Sequence, residues 1–137
     1  MGFFNNLFAK KKADTPAAML EQIKAIQVND LARIIKQLET ADDTSFNLAR
    51  DTFLAFQKAF STKFKSTKNY VSASPEVRHE YMNTLASVLT RLNDLDKNDQ
   101  AMGASLFTIV MYAVEVQDHA FHDEIDQKLM KLFNDRN

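Results

Sequence analysis

Apolar positions recur along most of this chain at intervals of three and four residues, the pattern of helix faces. Met19, Leu20, Ile23, Ile26, Leu31, Ile34, Ile35 and Leu38 form one such stripe. Thr15-Pro16 opens it, a capping hydroxyl beside a proline whose missing N–H is harmless at a first helical position. Asp30 falls near the centre of the stripe, so residues 16–39 read as one helix with a break near 28–30. Thr40 to Ser45 is a polar linker in which Asp42 and Asp43 are placed to cap the next helix. That helix, expected over 45–66, carries Phe46, Phe53, Phe56, Phe60 and Phe64 within an arc of about 80°, an aromatic core face. Lys58 and Lys65 lie opposite the rings and Lys63 beside them, and Lys68 to Ala73 reads as a loop.

Ser74-Pro75 repeats the start signal. From Pro75 to Asp96, the residues Val77, Tyr81, Leu85, Val88, Leu89, Leu92 and Leu95 share one face, and Glu76, Glu80, Asn83, Ser87, Arg91 and Asp94 the other. Asp96 to Asp99 forms a polar turn. The last segment, 100–134, is different in kind: Ala101 to Val114 is apolar nearly all round, interrupted only by Ser105 and Thr108, as befits a helix in the middle of a bundle. Gly103 inside it predicts close approach of a neighbouring helix. Beyond Glu115 the amphipathic pattern resumes through Phe121, Ile125, Leu129 and Leu132, and one helix or two satisfies it equally. The expected fold is all-α: one bundle of four to six helices over residues 15–137, its central helix near 101–114, with residues 1–14 an amphipathic N-terminal segment.

Composition narrows this further. In 137 residues there are two Gly, two Pro and no Cys, which argues against a turn-rich β fold and excludes disulfides, thiol nucleophiles and thiolate metal sites. Two glycines, at positions 2 and 103, cannot build a phosphate-binding loop, and no nucleophile-elbow motif marks a triad, so the expectation is a protein that is not an enzyme and carries no cofactor. The apolar window Ala101–Val114 is shorter than the ~20 residues a membrane span needs. Positive charge follows rather than precedes the short apolar opening, unlike a secretory signal, and Asn6 stands where a myristoylation motif wants Ser or Thr, so a cytoplasmic location is expected.

Net charge is −1, but unevenly divided: residues 1–70 hold 11 Lys+Arg against 7 Asp+Glu, residues 71–137 hold 6 against 11. Lys58, Lys63, Lys65 and Lys68 interleaved with Phe60 and Phe64 imitate a stacking groove for nucleic acid, yet the pI of about 6.3 is far from a dedicated binder's, and no nucleic-acid partner is expected. The acidic residues Asp94, Asp96, Asp99, Asp118, Asp123, Glu124 and Asp126 would suit a basic protein partner.

Glu115, His119, His122 and Asp126 follow spacings of four, three and four, which on one helix place all four on a strip about 60° wide, the pattern of a helical divalent-metal site. Glu76-x-x-His79 offers a facing donor pair, but it lies on the polar side of its helix. The competing reading of the strip is a solvated rim with helix-stabilising pairs. At the N-terminus, Phe3, Phe4, Leu7 and Phe8 share one side of a short helix ended by Lys10, Lys11 and Lys12, which reads as fit for an anionic membrane surface, a partner or the bundle itself, or as a segment that frays. Such an opening resembles the starts of many unrelated small bacterial proteins. Three functions follow as expectations. The first is a non-catalytic module binding another protein, an adaptor or an inhibitor in the manner of toxin-neutralising immunity proteins. The second is a metal-binding bundle using the Glu115/His119/His122 strip. The third is a membrane-surface protein held by residues 3–12.

Overall fold

Two of the expected helix boundaries, at Asp42 and Ser74, are set by identifiable caps in a computed structural model that describes residues 28–136. The described part is an all-α bundle of six helices: α1 (Val28–Thr40), α2 (Asp43–Phe64), α3 (Thr67–Ser72), α4 (Pro75–Asp94), α5 (Asn98–Glu115) and α6 (His119–Asp135). Asp42 caps α2, its Oδ1 accepting from Ser45 N–H at 2.8 Å. Ser74 caps α4, its Oγ accepting from Val77 N–H at 3.3 Å with Pro75 in the first turn. The stripe ahead of Val28, the Thr15-Pro16 start and the expected break near 28–30 fall outside the described residues or at their edge.

The expected loop at 68–73 is instead the short helix α3. Ser66 Oγ accepts from Asn69 N–H at 3.1 Å, and Asn69 Nδ2 donates back to Phe64 O at 2.9 Å, so the turn after α2 closes onto a new helical start. Tyr70, wholly buried, anchors α3 to the core.

α5 lies at the centre, against α2, α4 and α6, and every residue from Ala101 to Val114 except the half-buried Tyr112 is buried. α2 and α5 run side by side in the same sense: Ala49 meets Gly103, and the Phe53 ring meets Phe107 edge-on at 5.7 Å. A Cβ at position 103 would collide with the Ala49 carbonyl oxygen and come within 3.0 Å of Thr52 Cβ, so the backbones touch here only because residue 103 has no side chain. Of the aromatic stripe, Phe46, Phe53, Phe60 and Phe64 are buried and Phe56 partly so. The ends of the α4 stripe depart from expectation. Helix α4 stops at Asp94, which turns Leu95 out to 55% exposure, and Val77 in its first turn is 39% exposed.

α1 lies along α6, burying Leu31, Ile34, Ile35 and Leu38. Its C-terminus is closed from the far end of the chain. Arg136 donates to Leu38 O at 3.0 Å and Glu39 O at 3.2 Å, pairs with Asp43 at 3.0 Å, and stacks over the Phe46 ring at 4.2 Å. A cation on the open carbonyls of a helix end is favourable by both hydrogen bonding and the helix dipole.

Candidate functional site

The bundle's distinctive chemistry gathers where α5 gives way to α6. The chain reverses there through Gln117, whose φ of 59° is left-handed. Gln117 N–H bonds Val114 O at 3.1 Å and Asp118 N–H bonds Ala113 O at 2.9 Å, while Asp118 Oδ1 caps α6 by accepting from Phe121 N–H. The segment 100–134 is therefore two helices, and the strip drawn on a single helix is broken: Glu115 ends α5 whereas His119 begins α6.

Each strip residue has its own surroundings. Glu115 turns toward α3, where its Oε2 accepts from the Tyr70 hydroxyl at 2.9 Å. The same hydroxyl is 3.5 Å from Arg78 O. Burial, then the bond to the Glu115 carboxylate and its charge, push Tyr70 well above the usual tyrosine value, so it is a firmly neutral donor. Neighbouring Tyr81 is likewise raised, by burial. His122 Nδ1 lies 3.5 Å from Asp123 Oδ1. Asp126 is half-buried one turn further along α6. Among the described residues no three His, Cys, Asp or Glu side chains come together as metal ligands, so the reversal at Gln117 removes the geometry on which the metal reading of Glu115, His119, His122 and Asp126 was built.

What the reversal does create is a cleft of about 340 Å³ between α3, α5 and α6. Val71, Ala113 and Val114 supply its apolar lining, and Thr67, Lys68, Ser72, His119 and His122 its polar one. Lys68 and Ser72 were not legible as site residues, because the short helix that brings them opposite the histidines reads as loop. A larger groove of about 570 Å³ runs along α1 and α6, but its charges are of both signs, and two of them are engaged: Lys128 pairs with Glu124 at 3.0 Å and Arg136 with Asp43. Glu76 and His79 line an open face of α4.

The acidic residues do not form one surface. Asp94, Asp96 and Asp99 surround the α4–α5 turn, whereas Asp118, Asp123, Glu124 and Asp126 lie at and beyond the α5–α6 turn. The 18 residues of α5 separate these turns by about 27 Å at a rise of ~1.5 Å per residue. At the α4–α5 end, Leu95 protrudes between Asp94 and Asp96, and Asp96 Oδ1 accepts from Asn98 Nδ2 at 3.1 Å. Asp118 and Glu124 are occupied as a helix cap and an ion pair.

Phe3, Phe4, Leu7, Phe8, Lys10, Lys11 and Lys12 lie outside the described residues. No described helix is long and apolar enough to cross a membrane. Comparison with known proteins returned no matching family model and no significant match to a curated protein or a solved structure.

Proposed function

We propose that this chain is a non-catalytic, cytoplasmic binding protein whose partner is another protein, serving as an adaptor or as an inhibitor that covers a partner's working surface. The observation that carries this reading is the α4–α5 tip. Leu95, with more than half its surface in water, stands at a turn that carries Asp94, Asp96 and Asp99 together with the exposed Lys97. An exposed aliphatic side chain flanked by carboxylates is complementary to an apolar hollow edged by Lys or Arg: the apolar contact gives affinity as it is desolvated, and the charges give attraction and register. The tip also adjoins the most buried of the described helices, so the scaffold behind it is already packed.

The test is recovery of partners from the protein's own cells by tagged pull-down and mass spectrometry, beside the Leu95→Ser and Asp99→Lys variants. The reading requires one stoichiometric partner whose recovery falls at least tenfold with either variant. Undiminished recovery would move the interface elsewhere, and no partner in soluble and detergent-extracted fractions would end the proposal.

A further inference from the structure

The cleft between α3, α5 and α6 has a charge character opposite to its surroundings. Residues 71–137 carry an excess of acid, yet every ionisable side chain lining this cleft is a base: Lys68, His119 and His122. Of the nearby carboxylates, Glu115 is held by the Tyr70 hydroxyl and Asp118 by the Phe121 amide, while Asp123 faces His122 and Asp126 lies one turn beyond it. Lys68 has no ion-pair partner among the described residues. Opposite these bases the lining is aliphatic, from Val71, Ala113 and Val114, and the volume of about 340 Å³ sits at the small end of the range for ligand pockets.

We propose that this cleft binds a small amphiphile with a single carboxylate head and a short alkyl body. Lys68 supplies the permanent positive charge. His119 carries at least one N–H in either tautomer and so offers a donor to a carboxylate, whereas His122 Nδ1 faces Asp123 Oδ1 and His122 can offer the ligand only its Nε2–H, when that nitrogen carries the proton. The Ser72 hydroxyl donates to Lys68 O at 2.9 Å and adds no donor. The alkyl body packs on Val114 and Val71. Lys68 is the one permanently charged side chain of the lining, which suits a single negative charge, and Glu115, Asp118, Asp123 and Asp126 around it make a phosphate dianion more costly than a monoanion. The occupant is thus distinguished by charge at one end and by hydrophobicity at the other.

The experiment is an NMR titration of the full ¹⁵N-labelled chain with three probes in parallel: hexanoate, hexylamine and inorganic phosphate. Hexanoate should shift the amides of Lys68, Ser72, Ala113, His119 and His122 in a saturable way. Hexylamine, with the same body and opposite charge, and phosphate, without the body, should each bind at least tenfold more weakly. Lys68→Glu, an exposed position, should weaken hexanoate at least fivefold while the rest of the spectrum stays in place, and Lys68→Ala should show a smaller loss in the same direction. Equal binding of hexylamine or phosphate, shifts confined to another part of the bundle, or unchanged affinity in both Lys68 variants would each overturn the assignment.

Discussion

The seam between α2 and α5 and the end where α5 meets α6 are stabilised by different physics. Along the seam, backbone meets backbone at Ala49 and Gly103, and rings interlock, Phe53 lying 5.7 Å from Phe107 and 5.5 Å from Phe133. The buried polar residues of α5 are Ser105 and Thr108, and Thr108 returns its hydroxyl to Ala104 O at 2.8 Å. At the α5–α6 end a residue with a side chain occupies a left-handed conformation, a buried tyrosine leans on a carboxylate, and a cleft stays open. Close packing tolerates almost no change of shape, whereas a polar end tolerates changes of shape but responds to charge. Within one helix, α5 is therefore a fixed strut at its start and a tunable surface at its finish.

The largest test of that contrast is Phe53→Ala. Phe53 is 1% exposed and touches rings from two other helices, so its removal should cost about 4 kcal/mol, as large-to-small changes at buried aromatics do. Denaturant unfolding reads it directly, and a loss below ~1 kcal/mol would mean the seam can collapse around the gap.

Next in size is a pH effect from the other end. Tyr70 and Tyr81 are both raised above the usual tyrosine value, so the folded state keeps protons that the unfolded chain releases near pH 10. Their contribution is thus fully present below pH ~10 and is lost as pH rises above it, by up to about 1.4 kcal/mol per pH unit for each ring. Stability followed by circular dichroism should be level from pH 8 to 9.5 and fall between 10 and 11.5, and Tyr70→Phe should remove roughly half of that slope. An unchanged slope in Tyr70→Phe would show that Tyr70 is not held buried beside Glu115 in solution.

Gly103→Ala sets two effects against each other. Alanine gains up to ~1 kcal/mol of helix propensity over glycine, but a methyl group forced against the Ala49 carbonyl incurs an overpacking cost of about 1–3 kcal/mol. A backbone carbonyl cannot swing aside as a side chain does, so the net change should be a loss of about 1–2 kcal/mol. A gain in melting temperature would show that the two helices have room to separate.

The same contrast explains how much of the molecule was legible in the sequence. The Phe46–Phe64 stripe, the all-apolar run at 101–114, the Asp42 and Ser74 caps and the close approach at Gly103 all announce themselves through periodicity or through residues with one use. The reversal at Gln117 does not, because neither glycine nor proline marks it, and the continuing pattern through Phe121 and Ile125 fits a single helix equally well. The expected Glu115/His119/His122/Asp126 strip and the single acidic face both depended on turns that the pattern leaves unmarked. Helix α3 stayed hidden because six residues are too few to show a period. The Arg136 clasp on α1 joins residues almost a hundred positions apart, beyond the reach of any local rule.

The smallest predicted effect bears most directly on the polar end. Gln117 at φ 59° and Asp96 at φ 55° occupy equivalent places, each followed by the same pair of closing amide bonds to the preceding helix. A side chain in this conformation costs roughly 1 kcal/mol, which glycine avoids, though glycine loses part of that benefit by making the unfolded chain more flexible. Aspartate tolerates the left-handed region better than glutamine, so Gln117→Gly should stabilise by about 0.5 kcal/mol and Asp96→Gly by less. If Gln117→Gly instead destabilises, and more than Asp96→Gly does, then α5 and α6 tend to join into one continuous helix in solution. The cleft and the Tyr70–Glu115 contact would then belong to only one of two arrangements of this end.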